Sequence, residues 1–303
     1  MTECSTQAHA KINLCLDITG IRPDGYHEVR MIMQELSLSD TVSIRREETP
    51  GIRLQCSDPG IPSDGRNLMV RAAERLAEFC GIGLSVSMRL EKKIPAAAGL
   101  GGGSSDAAAV ILLLDRLYGL GLSMEEMQRI GLSVGADVPY FLIGGTALAE
   151  GIGEKLTELP PCPPCGILLV KPEEGASTRE IYHAFDALRE PLHPDVDQGI
   201  GALRNRNLTA LALALGNSLE RVTGGMLPVI GEIEDRMRGL GALGACMSGS
   251  GPTVFGLFGD LRAAENAGKK MKEYFPDCFT AAAEPVKSPF SHRHASMSCD
   301  QGF

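Results

Sequence analysis

Apolar and polar positions alternate along two long stretches near the start of the chain. Residues 8–18 and 28–45 carry alternating or continuous apolar runs, and the turn signal Arg22-Pro-Asp-Gly25 separates them. Residues 84–90 alternate in the same way, and residues 52–56 are a shorter strand candidate. We therefore expect the first part of the chain to be rich in β-strands.

Helical spacing follows this β-rich region. Apolar residues recur with the period of an α-helix across 67–80, and an alanine-rich stretch predicts a second helix that ends near residue 118. Ser123-Met-Glu-Glu126 has the pattern of a capping box, which predicts the start of a third helix. Residues 144–150 then indicate a turn and a strand.

A proline-rich segment at 159–164 marks a domain boundary. The elements predicted after it are a strand, several helices, two strands, a helix and a strand, over residues 166–170, 177–239, 245–248, 253–258, 261–274 and 279–284. This order resembles the split βαβ, ferredoxin-like plan. We predict an N-terminal domain over 1–160, a C-terminal domain over 161–287 and a polar, irregular tail over 288–303.

The composition is that of a globular protein and argues against nucleic-acid binding as its main role. The 303 residues are 44% hydrophobic and 22% charged. The net charge of −9 argues against nucleic-acid binding, because phosphate backbones require basic surfaces. The sequence has no apolar run of about eighteen residues and no leader at its start, so we expect a cytoplasmic protein without a membrane span.

The nine cysteines are interpreted as reduced thiols, because several, such as Cys15, lie in apolar runs. Cys162-Pro-Pro-Cys165 has the spacing of a redox or metal pair. No second pair of this spacing accompanies it, and it lies in the proline-rich segment. We interpret it as part of a linker between the domains.

A glycine-rich loop leads into the alanine-rich helix. Its residues are Pro95, Ala96, Ala97, Ala98, Gly99, Leu100, Gly101, Gly102, Gly103, Ser104 and Ser105. Glycines permit positive φ and close approach of a ligand, the two serines are expected to cap the helix, and a helix N-terminus favours anions. We expect the loop to hold a polyphosphate, with ATP as the leading candidate; the alternative is a structural glycine turn.

The spelling of the loop excludes two better-known phosphate sites. A Walker A loop needs a lysine directly before its serine or threonine, and glycine stands before Ser104. A dinucleotide fingerprint needs a third glycine where Ser104 stands. A nicotinamide-dependent oxidoreductase is therefore not expected.

Three further clusters carry candidate chemistry. Lys11 and Asn13 share one face of a predicted strand, and the alternative for Lys11 is an edge position facing solvent. Asp137 is either a helix N-cap or a functional carboxylate. Met247-Ser-Gly-Ser-Gly-Pro-Thr-Val254 is either a plain hairpin turn or a second wall that closes over phosphates.

Together these motifs resemble those of the GHMP kinase superfamily, small-molecule kinases that lack a Walker A loop. Residues 95–105 match its hallmark, P-x-x-x-G-L-G-[GS]-S-S, with one extra glycine. The other matching segments are Ala10-Lys-Ile-Asn-Leu14, Pro23-Asp-Gly-Tyr-His27, Gly135-Ala-Asp-Val-Pro139 and Ser248-Gly-Ser-Gly-Pro-Thr253. The resemblance extends to about residue 285. Asn217-Ser-Leu-Glu220 departs from the N-D-L-E that is common at its position.

The resemblance implies an α+β, two-domain GHMP kinase fold, with an N-terminal ribosomal-protein-S5-domain-2-like αβ domain and a C-terminal ferredoxin-like split βαβ domain. It implies transfer of the γ-phosphoryl group of ATP, with Mg²⁺, to the 2-hydroxyl of a cytidine-diphosphate-linked methylerythritol in the non-mevalonate isoprenoid pathway. Monomer and homodimer both stay open. The alternatives are another GHMP kinase, acting on homoserine or mevalonate, and a nucleotide-binding sensor without catalysis.

The resemblance also implies roles for individual residues. Asp137 matches the catalytic base, and Lys11 matches the lysine beside it, which is expected to keep the carboxylate ionised. The positions that match substrate-binding residues are Asn13, Tyr26, His27 and Thr178. Asn67 and Lys93 match the adenine pocket. Ser105 is the candidate ligand for Mg²⁺, a point that the sequence leaves open.

Overall fold

The computed structural model of the chain describes residues 2–175, 177–286 and 298–300. Two β-sheets organise these residues. The larger sheet is formed mainly by residues before the proline-rich segment, and the smaller one lies entirely after it. A division into separate domains at residues 160 and 161 stays a prediction.

Two long antiparallel strands, β1 (Glu3–Ile21) and β2 (His27–Arg46), form the centre of the larger sheet. Register shifts interrupt their pairing between His9 and Lys11 and between Asn13 and Cys15. Bulges of this kind bend a strand and re-aim its side chains. Lys11 and Asn13 therefore lie in the distorted part of β1. The remaining early strands are β3 (Gly51–Cys56), β4 (Ser85–Glu91), β5 (Thr146–Gly151) and β6 (Lys155–Glu158).

Four helices belong to this part of the chain: α1 (Leu68–Cys80), α2 (Gly102–Tyr118), α3 (Met124–Val134) and α4 (Val138–Ile143). The alanine-rich helix α2 contacts β1, β2 and the other three helices and is buried along most of its length. The predicted capping box of Ser123 and Glu126 forms at the start of α3. The Lys11 N–H donates to the carbonyl of Leu100, just before α2, so the N-terminus of α2 lies beside the bulged region of β1.

The smaller sheet consists of β7 (Gly166–Lys171), β9 (Gly244–Met247), β10 (Val254–Phe258) and β11 (Phe279–Ala283). Its strand order is β11-β7-β10-β9, and it is antiparallel throughout. Counted along the chain, these four strands lie in the order fourth, first, third, second. This is the order of the ferredoxin-like split βαβ plan, so that prediction is confirmed.

Helices and one short strand fill the connections of the smaller sheet. The helices are α5 (Thr178–Asp186), α6 (Val196–Arg204), α7 (Leu208–Leu213), α8 (Glu220–Met226), α9 (Val229–Gly239) and α10 (Leu261–Tyr274). The short strand β8 (Gly216–Asn217) leaves this region and pairs in parallel with β1. It ties the second half of the chain to the larger sheet.

Two expectations from the sequence are corrected here. Strand β12 (Ser298–Asp300) pairs antiparallel with the start of β1, so the expected irregular tail is wrong for those residues; the rest of 288–303 lies outside the described part of the chain. Cys4 is disulfide-bonded, so not every cysteine is a free thiol. Cys162 and Cys165 are free, buried and located between β6 and β7, as expected of a connector. Among the described residues, no helix combines the length and apolarity that crossing a bilayer requires.

Candidate active site

The glycine-rich loop ends at Gly101, which is the N-cap of α2 and has left-handed φ of 69°. No side chain caps this helix, because Ser104 and Ser105 lie inside its first turn. The expectation that these serines cap the helix is therefore wrong. An uncapped N-terminus leaves its first backbone N–H groups without intrahelical partners, and together with the helix dipole these groups favour an anion.

The backbone of the loop repeatedly enters the left-handed region. Ala97, Gly99 and Gly101 have φ values of 48°, 72° and 69°. A Cβ atom at Gly99 would overlap the carbonyl oxygen of Ser248, and one at Gly101 would lie 2.6 Å from the ring of Phe141. Both glycines are thus required by conformation and by close packing.

Lys11 lies directly against this loop. Its backbone N–H donates to the carbonyl of Leu100 at 3.0 Å. Its side chain is buried, and the ammonium Nζ donates to Asn13 Oδ1 at 2.6 Å and lies 3.9 Å from Asp137 Oδ2. Burial lowers the pKa of Lys11, against the raising effect of the Asp137 charge. The alternative of a solvent-facing edge lysine is wrong.

Asp137 stands at the N-cap position of α4, but its side chain makes no capping hydrogen bond. Pro139 lies in the first turn, where a missing N–H costs nothing. The carboxylate is one-third exposed and faces the Lys11 ammonium. The cap interpretation is therefore wrong, and a partly accessible carboxylate is left beside a buried cation.

A cleft of about 680 Å³ opens at this pair. The catalytic and substrate-binding candidates named from the sequence all line it: Lys11, Asn13, Tyr26, His27, Asp137 and Thr178. The structure thus brings segments from β1, the turn before β2, the start of α4 and the start of α5 to one place. Their assembly into one cavity supports a substrate site.

The sequence argument missed two residues of this cleft. His27 Nε2 is 2.7 Å from Asp186 Oδ1, and the rings of His27 and Tyr182 lie 4.7 Å apart between centroids. Both Tyr182 and Asp186 line the cleft and belong to α5. They follow Thr178 at four-residue intervals, which places all three on one helix face. That spacing was the available signal.

A second groove, of about 520 Å³, lies on the other side of the loop. Its walls are formed by residues 95–99 and 101–104, by Asn67 and Leu68, and by Lys92. Ala97, Gly99, Gly101 and Thr178 line both the groove and the cleft. The loop therefore separates two cavities that meet at its glycines, the arrangement required for a phosphoryl donor and an acceptor.

The remaining cofactor candidates lie at different depths. Asn67 borders the groove while its side chain caps α1, accepting from Met69 N–H at 2.9 Å. Leu100 and Ser105 are buried, and neither is among the lining residues of the groove. Lys93 is exposed and its neighbour Lys92 lines the groove instead. The roles proposed for Asn67, Lys93 and Ser105 stay predictions.

Lys92 is held by two buried carboxylates. Its Nζ donates to Asp40 and, at 3.0 Å, to Asp106 Oδ2 in α2. Burial raises the pKa of Asp106 to about 7, against the opposing pull of Lys92. The Asp40 carboxylate also accepts from the Ile94 N–H at 2.9 Å. This ionic cluster fixes the chain just before the loop to the helix just after it.

The turn between β9 and β10 packs onto the loop from the second half of the chain. Ser248 Oγ donates to the Gly99 carbonyl at 3.0 Å and accepts from the Asn13 N–H at 3.3 Å. Ser250 Oγ is 2.8 Å from Thr178 Oγ1. The segment is a hairpin turn, and it also forms a wall against the glycine-rich loop.

Comparison with known proteins defines the class. Residues 67–145 match the GHMP kinases N terminal domain, and residues 200–277 match the GHMP kinases C terminal domain. The fold and the loop are therefore those of a GHMP kinase. The mevalonate kinase of L. major, at 18% identity and a TM-score of 0.75 over 94% of this chain and 96% of its own, shares the fold.

Two relatives narrow the class further. The 4-diphosphocytidyl-2-C-methyl-D-erythritol kinase of Clostridium botulinum (strain Eklund 17B / Type B) is 44% identical over 90% of this chain and 97% of its own length. A crystal structure of 4-(cytidine 5'-diphospho)-2C-methyl-D-erythritol kinase superposes with a TM-score of 0.80 and 34% identity, covering 94% of this chain and all of that one. The chain belongs to the 4-diphosphocytidyl-2-C-methyl-D-erythritol kinase family, and it is a kinase of isoprenoid biosynthesis.

Proposed function

We propose that this kinase transfers the γ-phosphoryl group of ATP to the 2-hydroxyl of 4-diphosphocytidyl-2-C-methyl-D-erythritol, with Asp137 as general base and Lys11 beside it. One observation carries the proposal. The backbone of Lys11 is hydrogen-bonded to the phosphate loop, while its ammonium lies 3.9 Å from the Asp137 carboxylate. The residue that touches the donor loop is thus the residue that faces the base.

The chemistry suits this arrangement. Phosphoryl transfer depends on alignment and charge stabilisation, with little covalent help from the protein. The attacking hydroxyl loses its proton, and a partly exposed carboxylate within the cleft accepts it. The Lys11 ammonium lies 3.9 Å from that carboxylate and stabilises negative charge that develops near it.

The loop is suited to the phosphates of ATP. Its left-handed glycines and the uncapped α2 N-terminus provide a concave backbone surface with free N–H groups. Mg²⁺ accompanies ATP and neutralises phosphate charge during transfer. No group of three or more His, Cys, Asp or Glu side chains arranged to hold a metal ion is found in the described ranges. Mg²⁺ usually keeps several waters and takes few protein ligands, so we propose an ion held mainly by phosphate oxygens and water, with Ser105 as the candidate protein ligand.

The part of the cleft lined by Tyr26, His27 and Tyr182 is suited to a nucleobase. Tyr26 is exposed, and the rings of Tyr182 and His27 form a tilted pair with an interplanar angle of 49°. Base–aromatic stacking contributes roughly 1–3 kcal/mol per base. We assign the cytosine of the substrate to this part, and the methylerythritol to the part that holds Asn13 and Asp137.

A substrate panel tests the assignment. ADP release is measured with ATP and, in turn, 4-diphosphocytidyl-2-C-methyl-D-erythritol, mevalonate and homoserine. Turnover is expected with the cytidine-containing alcohol alone. Turnover with mevalonate or homoserine instead would move the chain to another GHMP activity. ATP binding without turnover on any of the three would favour the non-catalytic sensor.

A further inference from the structure

The segment Asn217-Ser-Leu-Glu220 lies outside the cleft and the groove, and the proposed chemistry does not use it. Asn217 is only 6% exposed. It belongs to β8, whose backbone pairs with Cys15 and Leu16 of β1. A buried polar side chain must be matched by hydrogen bonds, so the partners of Asn217 show what it holds.

The side-chain amide of Asn217 hydrogen-bonds to the backbone on both sides of Ser248. Its Nδ2 donates to the carbonyls of Met247 and Gly249, each at 2.8 Å. Its Oδ1 accepts from the Leu219 N–H at 2.9 Å. The amide therefore uses most of its hydrogen-bonding groups to hold this turn in place.

Glu220, at the start of α8, adds a further hydrogen bond to the same stretch of backbone. Its Oε2 accepts from the Met247 N–H at 2.7 Å. Met247 is therefore fixed through both its N–H and its carbonyl by two side chains of the same short segment. The turn that starts at Ser248 has a rigid base on β8 and α8.

Ser248 lies between Met247 and Gly249, whose carbonyls accept hydrogen bonds from Asn217. It contacts both the glycine-rich loop and β1. Its hydroxyl joins the Gly99 carbonyl of the phosphate loop to the Asn13 N–H of β1. The two residues meet so closely that Gly99 has no room for a Cβ atom. A shift of Ser248 would move the loop relative to the strand that carries Lys11.

We propose that Asn217 is a positioning residue of the phosphoryl transfer, which holds the turn at Ser248 against Gly99 and so sets the place of the phosphate loop relative to β1. The inference rests on the proposed function. Asn217 acts through Ser248 and touches neither substrate. Misplacement by about 1 Å costs on the order of 10²-fold in rate, so a distant side chain of this kind affects turnover.

Asparagine suits this position because its side chain must donate to two carbonyls. Both need a donor, and Nδ2 carries two N–H bonds. An aspartate of the same shape would present an acceptor to two acceptors. Asn217→Asp is therefore the most disruptive isosteric change, Asn217→Ala removes the grip, and Asn217→Ser keeps one donor and is the mildest change.

The test compares these variants with Asn207→Ala. Asn207 caps α7 by accepting from the Ala210 N–H at 3.0 Å, and it does not line either cavity. For each protein, the Kd of Mg·ADP is measured by calorimetry, kcat and KM by ADP release, and Tm by thermal unfolding. The Kd is independent of the acceptor's identity.

Asn217→Ala is expected to weaken Mg·ADP binding by about tenfold and to lower kcat by at least a similar factor, as two buried hydrogen bonds are lost. The Kd and kcat of Asn217→Ser should lie between those of Asn217→Ala and the wild type. Asn207→Ala should lower Tm and leave Kd and kcat unchanged. Ser248→Ala combined with Asn217→Ala should be little worse than the stronger single change, because both act on one contact. If Asn217→Ala is unfolded, Asn217→Ser decides.

Two results would overturn the inference. One is a Tm loss in the Asn217 variants like that of Asn207→Ala, with Kd and kcat at wild-type values. The other is full additivity with Ser248→Ala. If the wild type binds Mg·ADP but does not phosphorylate the cytidine-containing alcohol, the acceptor assignment fails, while the effect on Kd still tests the role of Asn217. If the wild type does not bind Mg·ADP, both proposals fall.

Discussion

The ammonium of Lys11 lies 3.9 Å from the carboxylate of Asp137, and the same lysine is hydrogen-bonded through its backbone to the glycine-rich loop. The bulged strand β1 and the start of α4 supply the two side chains. A buried cation and an accessible carboxylate therefore stand where the donor loop meets the acceptor cleft. This relationship is the structural basis of the proposed chemistry.

Gly101→Ala should damage nucleotide binding beyond the cost of backbone strain. A Cβ atom there would lie 2.6 Å from the Phe141 ring and 3.0 Å from Lys11 Cγ, with φ at 69°. Gly81→Ala is the matched control, because Gly81 has φ of 65° and nothing within 4 Å of an added Cβ. Backbone strain should cost each variant about 1–2 kcal/mol of stability, and the overlap with Phe141 adds to this cost in Gly101→Ala. Gly101→Ala alone should raise the KM for ATP, by about tenfold. Equal KM values would remove the nucleotide from this loop.

Asp186→Asn should weaken binding of the acceptor and leave ATP untouched. Asp186 holds His27 in the cleft at 2.7 Å, and the charge-assisted hydrogen bond is lost with the carboxylate. A rise of about threefold to tenfold is expected in the KM for the cytidine-containing alcohol, with the KM for ATP unchanged. Asp197→Asn breaks a pair of similar length with Arg30 outside the cleft and serves as control. Equal behaviour of the two variants would contradict a role for Asp186 in acceptor binding.

Glu234→Gln should flatten the dependence of stability on pH. Burial, with the charge of Glu220 as a further cause, raises the pKa of Glu234 to about 8, against the pull of Arg238. The unfolded chain loses this proton near pH 4.5, so between about pH 4.5 and 8 the folded state holds more protons, and stability falls as pH rises.

Urea unfolding at about pH 6 and about pH 8.5 measures the effect. The variant, which is neutral throughout, should show a smaller decrease than the wild type. Asp106, whose pKa is also raised, contributes in the same direction and leaves part of the slope. Glu232→Gln, on the exposed side of the same helix, is the control and should keep the full slope. An unchanged slope in Glu234→Gln would show that Glu234 does not titrate in this range.

Periodicity was sufficient to predict the long elements. The strands around Lys11 and Thr41, the helix that begins after Asn67 and the capping box at Ser123 all follow from spacing alone. The short elements β6, β8 and α4 were missed, since two to six residues do not establish a period. The order of the later strands was enough to predict the ferredoxin-like sheet.

The sequence did not reveal which side chains of the site are buried or which residues they contact. A lone lysine in a strand gives no sign that a bulge turns it inward, so the solvent-facing alternative for Lys11 stayed open until the structure was known. Asp137 reads as an N-cap because it occupies that position, although its side chain does not cap. Lys92 lines the groove and Lys93 does not, because Asp40 and Asp106 bind the Lys92 ammonium. The sequence gives no sign of these two ion pairs.

The most direct measurement is ADP release with ATP and 4-diphosphocytidyl-2-C-methyl-D-erythritol for wild type, Asp137→Ala and Asp260→Ala. Asp260 is a true cap of α10, accepting from the Ala263 N–H at 2.8 Å, and it does not line the cleft. We predict that Asp137→Ala lowers kcat by about 10²–10⁴-fold and keeps its Tm. Asp260→Ala should lose about 1 kcal/mol of stability and keep its kcat. A near-wild-type kcat for Asp137→Ala would contradict the assignment of Asp137 as the base.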